Sequence, residues 1–287
     1  MRYFKFFIIF IFPFMFNLSN IYTQVIGSES KIYGVTLDAV DHLNDITESL
    51  SRLSKKPTTR IVFDESAPAS QYVQTVDQIH NVSYIIGCIV DSYYMEDYTL
   101  DQYINRLNDY VNTLSNNVDI WEVGNEVNGE WLGSVDTVIM KITQGYSVLK
   151  NQNKKIALTL FYNENCWEKS ENEMFYWINN SLPDSLKSGL DYVLVSYYED
   201  DCNNFQPDWQ RVFDSLHVIF PHSKLGIGEC GTTKSSLKTS YMKRYYNMKI
   251  KTTGYIGGYF WWYFREDCVP YTKSLWKVLN GLFSLTN

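Results

Sequence analysis

A single-domain (β/α)8 barrel is the fold this sequence predicts, and three observations predict it. Eight short runs rich in β-branched and aromatic residues recur along the chain: IYGVTL (32–37), TRIVF (59–63), SYIIGCI (83–89), DIWEVG (119–124), KIALTLF (155–161), DYVLVSY (191–197), KLGIG (224–228) and YIGGYFWW (255–262). Their starts lie roughly 24–36 residues apart, about the length of a strand, a crossover helix and two loops. The intervals carry apolar residues at three- and four-residue steps, and apolar strands alternating with such helices make a parallel sheet covered by helices. Eight units in about 255 residues match a closed (β/α)8, or TIM, barrel. An open doubly wound sheet is the rival, but no GxGxxG turn follows the first run, which removes its commonest nucleotide-binding form.

The clearest helix lies between the third and fourth runs. Leu100, Tyr103, Ile104, Leu107, Val111 and Leu114 form one apolar stripe, with Thr99 as N-cap and Gln102 at the capping-box position. Similar stripes fill 41–53, 134–149, 171–180, 208–220, 234–250 and 271–283, with a shorter one at 66–80.

With 287 residues, 45% hydrophobic and 20% charged, the chain can bury one large core. Its net charge of -7, with 25 Lys and Arg scattered along it, excludes nucleic acid as an expected partner. Arg2 and Lys5 precede an apolar stretch from Phe6 to Phe16 broken only by Pro13, and polar Asn17, Ser19 and Asn20 follow. This is the pattern of a secretory signal, too short to span a bilayer comfortably. Residues 1–26 are read as that signal and 27–287 as the barrel, giving a secreted or extracytoplasmic monomer with no stable membrane span after cleavage. Of five cysteines, Cys166 and Cys202 fall in loops after successive strands and are placed to bridge, although spacing alone does not fix connectivity. The four histidines form no His-x-His or HExxH arrangement, so no metal and no cofactor are expected.

Two strand ends carry glutamates. The run 119–131 reads DIWEVGNEVNGEW and places Glu126 just after the fourth strand; KLGIGECG at 224–231 places Glu229 just after the seventh. In a barrel every strand's C-terminal end opens on one face, so these carboxyls, 103 positions apart in sequence, face each other across the mouth. Facing carboxylates are what glycoside hydrolysis requires: one acid protonates the leaving oxygen while the second group attacks or activates water, and in a retaining pair they lie about 5–5.5 Å apart. Loop glutamates taken singly are more often solvated surface groups. Here both stand after the strands that such chemistry uses.

WEVGNEVNG (121–129) and GIGECG (226–231) resemble the motifs of clan A retaining glycoside hydrolases, the "4/7" barrel superfamily. The resemblance implies that Glu126 is the acid/base, that Glu229 is the nucleophile and that Asn125 holds the sugar 2-hydroxyl. It also implies that an Arg on strand two and a Tyr ending strand six hydrogen-bond the nucleophile. Arg60 lies on the second run. Of Tyr197 and Tyr198, strand parity with Leu194 and Ser196 favours Tyr198. Ser196 stands where many members carry His. A strand-eight Trp forms the floor beside the nucleophile in the clan, and Trp262, rather than Trp261, is assigned to it. Glu122, on the same parity as Glu126, is expected inside the barrel with Arg60 neutralising it.

Among loop aromatics, Trp131, Tyr93, Tyr94, Tyr162 and Trp167 are candidate sugar platforms. Glu199, Asp200, Asp201 and Asp91 read mostly as solvated charges, and Cys230 as structural. The sequence therefore predicts a retaining glycosidase cleaving β-linked oligo- or polysaccharides internally through a glycosyl-enzyme intermediate. A carbohydrate-binding barrel without activity and a transglycosylase using the same residues are the alternatives.

Overall fold

The computed structural model describes residues 31–285. The segment 1–26 expected as a signal lies outside the described residues. Eight parallel strands close into a barrel in sequence order. They are β1 (Ile32–Leu37), β2 (Thr58–Val62), β3 (Tyr84–Cys88), β4 (Ile120–Gly124), β5 (Ile156–Phe161), β6 (Tyr192–Tyr197), β7 (Lys224–Cys230) and β8 (Tyr255–Trp261). The helices are α1 (Leu43–Ser51), α2 (Val73–His80), α3 (Leu100–Leu114), α4 (Val135–Asn151), α5 (Met174–Ser181), α6 (Asp184–Gly189), α7 (Trp209–Ile219), α8 (Lys238–Tyr246), α9 (Phe264–Cys268) and α10 (Ser274–Ser284). No helix among the described residues is long and apolar enough to cross a membrane.

Strand alternation sorts the side chains. On β4, Trp121 and Val123 face outward: Trp121 packs beside Gly87, and Val123 lies against Gly145 of α4. Ile120 belongs instead to a buried cluster inside the barrel with Ile86, Ala157, Leu194, Ile256 and Phe260. The ring of Phe260 lies where a β-carbon on Gly34 would stand, 2.5 Å away, so glycine at 34 lets the ring fill the barrel's lower end. Outside, α3 begins with the expected capping box: the Thr99 hydroxyl accepts from the Gln102 amide at 3.2 Å, and the Gln102 side chain accepts from the Thr99 amide at 2.8 Å. Such a cap stabilises a helix start by about 0.5–2 kcal/mol.

Three strands break strict alternation, β4 and β7 toward the rim and β8 lower down. The β4–β5 register shifts between Glu122 and Gly124, and β6–β7 shifts between Val195 and Ser196. On β8, Gly257 and Gly258 have φ of 85° and 88°, and a β-carbon on Gly258 would stand 2.2 Å from the Ile227 carbonyl oxygen. Only glycine fits there. The shifts on β4 and β7 lie beside Glu126 and Glu229, and bulges commonly aim functional groups in this way.

Candidate active site

Two residues above the apolar cluster, the barrel interior changes character. Arg60, Cys88, Glu122, Thr159 and Ser196 lie one inward step beyond Thr58, Ile86, Ile120, Ala157 and Leu194, and all five are buried. Buried charges survive when they are paired and hydrogen-bonded. Arg60, fully buried, supplies the pairing: its Nε donates to Glu122 Oε2 at 2.7 Å and its Nη1 to Glu229 Oε2 at 3.0 Å. Nη2 reaches the Cys88 sulfur at 3.5 Å, and the Thr159 hydroxyl donates to Glu122 Oε1. The second oxygen of Glu229 accepts from the Tyr198 hydroxyl at 2.7 Å. Burial, and then the charges of Glu229 and Glu126, push the Tyr198 phenol well above its ordinary value, which keeps it protonated as a donor.

Glu126 reaches the same space by another route. After the β4 irregularity, its backbone takes a left-handed conformation with φ 48°, uncommon for a residue with a side chain and a form of strain found at functional sites. The turn is held by bonds from the Val127 amide to the Thr159 carbonyl at 3.1 Å and from the Gly129 amide to the Glu126 carbonyl at 2.7 Å. Asn128 fixes the loop to β5, accepting from the Phe161 amide at 2.7 Å and donating to the Phe161 carbonyl at 2.8 Å. Each Glu126 oxygen accepts from a serine: Oε1 from Ser196 at 2.6 Å and Oε2 from Ser92 at 2.7 Å. Ser196 is also the register neighbour of Glu229, so one serine on β6 joins the surroundings of both acids.

Both carboxyls titrate above the ordinary glutamate range. At Glu126 burial leads the rise, opposed by the two serine hydrogen bonds. At Glu229 burial again leads, the charge of Glu126 comes next, and Arg60 and Tyr198 act in the opposite direction. The rise is the larger at Glu229, where the charge of Glu126 adds to burial.

The remaining predicted positions divide. Asn125 is buried, its Oδ1 accepting from the Ser92 amide at 3.0 Å while its Nδ2 is a buried donor with no protein partner. Trp262 faces the mouth, its ring centroid 5.7 Å from the Arg60 guanidinium carbon. Trp261 points away and donates to Asp267 at 2.9 Å. Trp131, 38% exposed, stands edge-on to Phe161 with centroids 5.2 Å apart. Tyr93 and Trp167 are exposed. Tyr162, expected as a platform, is fully buried against Tyr197 and Trp209 because it follows Phe161 with the opposite, outward parity. Nor are the acidic loop residues all solvated: Glu199 is buried and paired with Arg244, and Asp200 accepts from Thr232 and Lys234. Asp91 caps the turn after β3 by accepting from the Tyr93 amide at 2.9 Å.

Cys230 points away from the mouth into the core, its thiol 2.7 Å from the Tyr259 carbonyl. Cys166 and Cys202 form a disulfide, and Cys88, Cys230 and Cys268 are free and buried. Sequence reasoning missed Ser92, Thr159 and Cys88. The inward parity of β3 and β5 could have found the last two, whereas nothing marks one serine among several polar loop residues.

No protein-family model matches this sequence, and no curated protein does. Solved structures match by fold. Saccharomyces cerevisiae Gas2p in complex with laminaritriose and laminaritetraose superposes with a TM-score of 0.58 at 12% identity, over 91% of this chain and 66% of that one. The same protein with compound 8 gives 0.59 at 12% identity, over 92% and 66%. With laminaripentaose it gives 0.55 at 12% identity, over 90% and 65%. This chain thus spans just under two thirds of the length of these neighbours. At that identity the likeness shows a shared (β/α)8 barrel.

Proposed function

We propose that this chain is a retaining glycoside hydrolase that cleaves β-glucan, with Glu229 as nucleophile and Glu126 as acid/base. The observation that carries this reading is the wiring of the two acids. Glu229 receives a guanidinium and a phenol, donors that favour its ionised form, whereas Glu126 receives only two serine hydroxyls. These donors assign the charged role to Glu229 and leave Glu126 as the proton donor. Serine hydroxyls both donate and accept, so the two on Glu126 can hold it as an acid and again as a base.

In the first step a Glu229 oxygen attacks the anomeric carbon while Glu126 gives its proton to the glycosidic oxygen, and the leaving sugar departs. The resulting ester removes the Glu229 charge, which lowers the Glu126 pKa so that it takes a proton from the incoming water. That water breaks the ester with net retention. The attacked ring rests on Trp262, its C-H face against the indole. The unpartnered Nδ2 of Asn125 supplies a donor for the 2-hydroxyl, in keeping with the clan A resemblance.

Laminari-oligosaccharides are β-1,3-linked glucose, and their presence in the Gas2p structures supports β-1,3-glucan as the substrate class. The disulfide and the N-terminal sequence pattern support export to an oxidising compartment. Exposed Trp131, five residues beyond Glu126 in the loop after β4, offers a platform for a sugar, and transglycosylation is a second outcome of the same intermediate.

On laminari-oligosaccharides, Glu229→Ala should lose more than about 10⁴-fold in kcat, beyond the range of about 10²–10⁴ that a lost general acid costs. Added azide should restore turnover as a glycosyl azide. Glu126→Ala should stay active mainly on substrates with good leaving groups. Wild-type turnover in Glu229→Ala would remove the nucleophile assignment, and product sizes separate hydrolysis from transfer.

A further inference from the structure

We infer that the glucan chain on the non-reducing side of the scissile bond leaves the barrel mouth over β2 and β3 and occupies a second groove on the flank of α3. The inference rests on the proposed function, because it needs a polysaccharide seated at Glu126 and Glu229. The ring under attack lies over Trp262 beside Arg60, and the leaving sugar lies at Glu126, so the rest of the donor chain exits on the Trp262 side. There a cleft of about 440 Å³ is lined by Trp262, Asp38, Asp64, Asp91 and Tyr93. It shares Glu65 and Tyr94 with a second cleft of about 600 Å³, lined further by Tyr98, Gln102, Asn105 and Asp109. Both volumes fall within the roughly 300–1,000 Å³ of small-ligand sites.

The second groove has a built wall. Arg106 on α3 donates to the carbonyls of Phe63, Asp64, Glu65, Ala67 and Ile89, tying the loops after β2 and β3 to one guanidinium. The Tyr98 hydroxyl donates to the Glu65 carbonyl at 2.6 Å, and the Tyr110 hydroxyl to the Ala67 carbonyl at 2.8 Å. Half-buried Tyr94 and Tyr98 line the groove, with carboxylates and carboxamides around them, and Tyr110 is buried beneath. Carboxylates accept from vicinal hydroxyls and aromatic faces take the C-H side of a pyranose, which is the chemistry of a neutral sugar chain. A net-acidic groove of this kind does not suit an anionic ligand.

The test is binding as a function of chain length. In the Glu229→Gln background, calorimetry compares laminaritriose with laminariheptaose, each also against a further Asn105→Trp or Asn105→Ala change, with circular dichroism checking that every variant is folded. The expected result is an affinity gain of about tenfold from the short to the long oligosaccharide. Asn105→Trp should abolish that gain by filling the groove, and Asn105→Ala should reduce it. No gain with length, or a gain that survives Asn105→Trp, overturns the second groove. Failure of both oligosaccharides to bind would instead remove the β-glucan reading, and the groove's assignment with it.

Discussion

The two ends of the barrel interior are built from the same strands, yet they do opposite work. At the lower end Ile86, Ile120, Ala157, Leu194, Ile256 and Phe260 form an apolar plug. One inward step higher stand Arg60, Cys88, Glu122, Thr159 and Ser196, with Glu229 beside them and almost as deeply buried. The lower layer stabilises through removal of apolar surface from water, a non-directional effect tolerant of substitution. The upper layer tolerates little, because each buried charge depends on a named partner. A barrel can hold such a layer because the layer beneath supplies stability without any polar requirement of its own.

The contrast can be broken most sharply at Arg60. Arg60→Met leaves Glu122 and Glu229 as buried carboxyls without their cation, and removing one partner of a buried pair costs about 3–5 kcal/mol. Chemical denaturation should show that loss, and because Glu229 then loses a donor of its ionised form, the acid limb of kcat/KM should move to higher pH. A profile unchanged in both respects would mean that the upper layer is not organised by this cation.

Leu194→Ala acts one step lower. The cavity should cost about 2–4 kcal/mol in denaturation, while kcat/KM measured well below the melting temperature keeps its wild-type pH profile. A shifted profile would show that the two layers are not separable.

The smallest effect is expected from Glu126→Gln. The folded pKa of Glu126 is raised, so the folded state binds the proton more tightly than the unfolded chain does. That contribution is full below the ordinary glutamate value and is lost as pH rises through the raised one. The amide keeps an oxygen for a serine and never ionises. Melting temperature should therefore match wild type near pH 4 and exceed it by about 2 °C at pH 8, with activity lost. An equal gain at both values would argue against a buried titrating acid.

The sequence periodicity located all eight strands, because apolar runs bounded by turn residues carry that signal directly. It placed the end of β7 at Gly228, whereas the strand continues through Cys230 and carries Glu229 within it. Glycines at 226, 228 and 231 weaken the strand signal there, since they supply no side chain to the pattern. Helices α6 and α9 were not foreseen; each is too short for an amphipathic stripe to register.

Parity pointed Glu122 and Tyr198 inward, where they lie, while the clan A resemblance chose Arg60 and Trp262; parity would also have moved Tyr162 out of the candidate set had it been applied there. Glu126 is different. Its inward position depends on a shifted register and a left-handed backbone, and neither follows from alternation. Burial, rather than a neighbouring charge, leads its raised pKa, because the loop after β4 folds over it. Ser92 was beyond reach, since only the closed barrel brings the loop after β3 against Glu126.

The central claim is that Glu229 forms a covalent bond to the sugar, and trapping that bond tests it most directly. The protein would be incubated with a 2-deoxy-2-fluoro-β-laminaribiosyl fluoride, digested and mapped by mass spectrometry. A single added glycosyl mass on the peptide containing Glu229, absent when Glu229 is replaced by Gln, is the result expected. Label on another residue, or turnover of laminari-oligosaccharides with inverted anomeric configuration and no label, would contradict it.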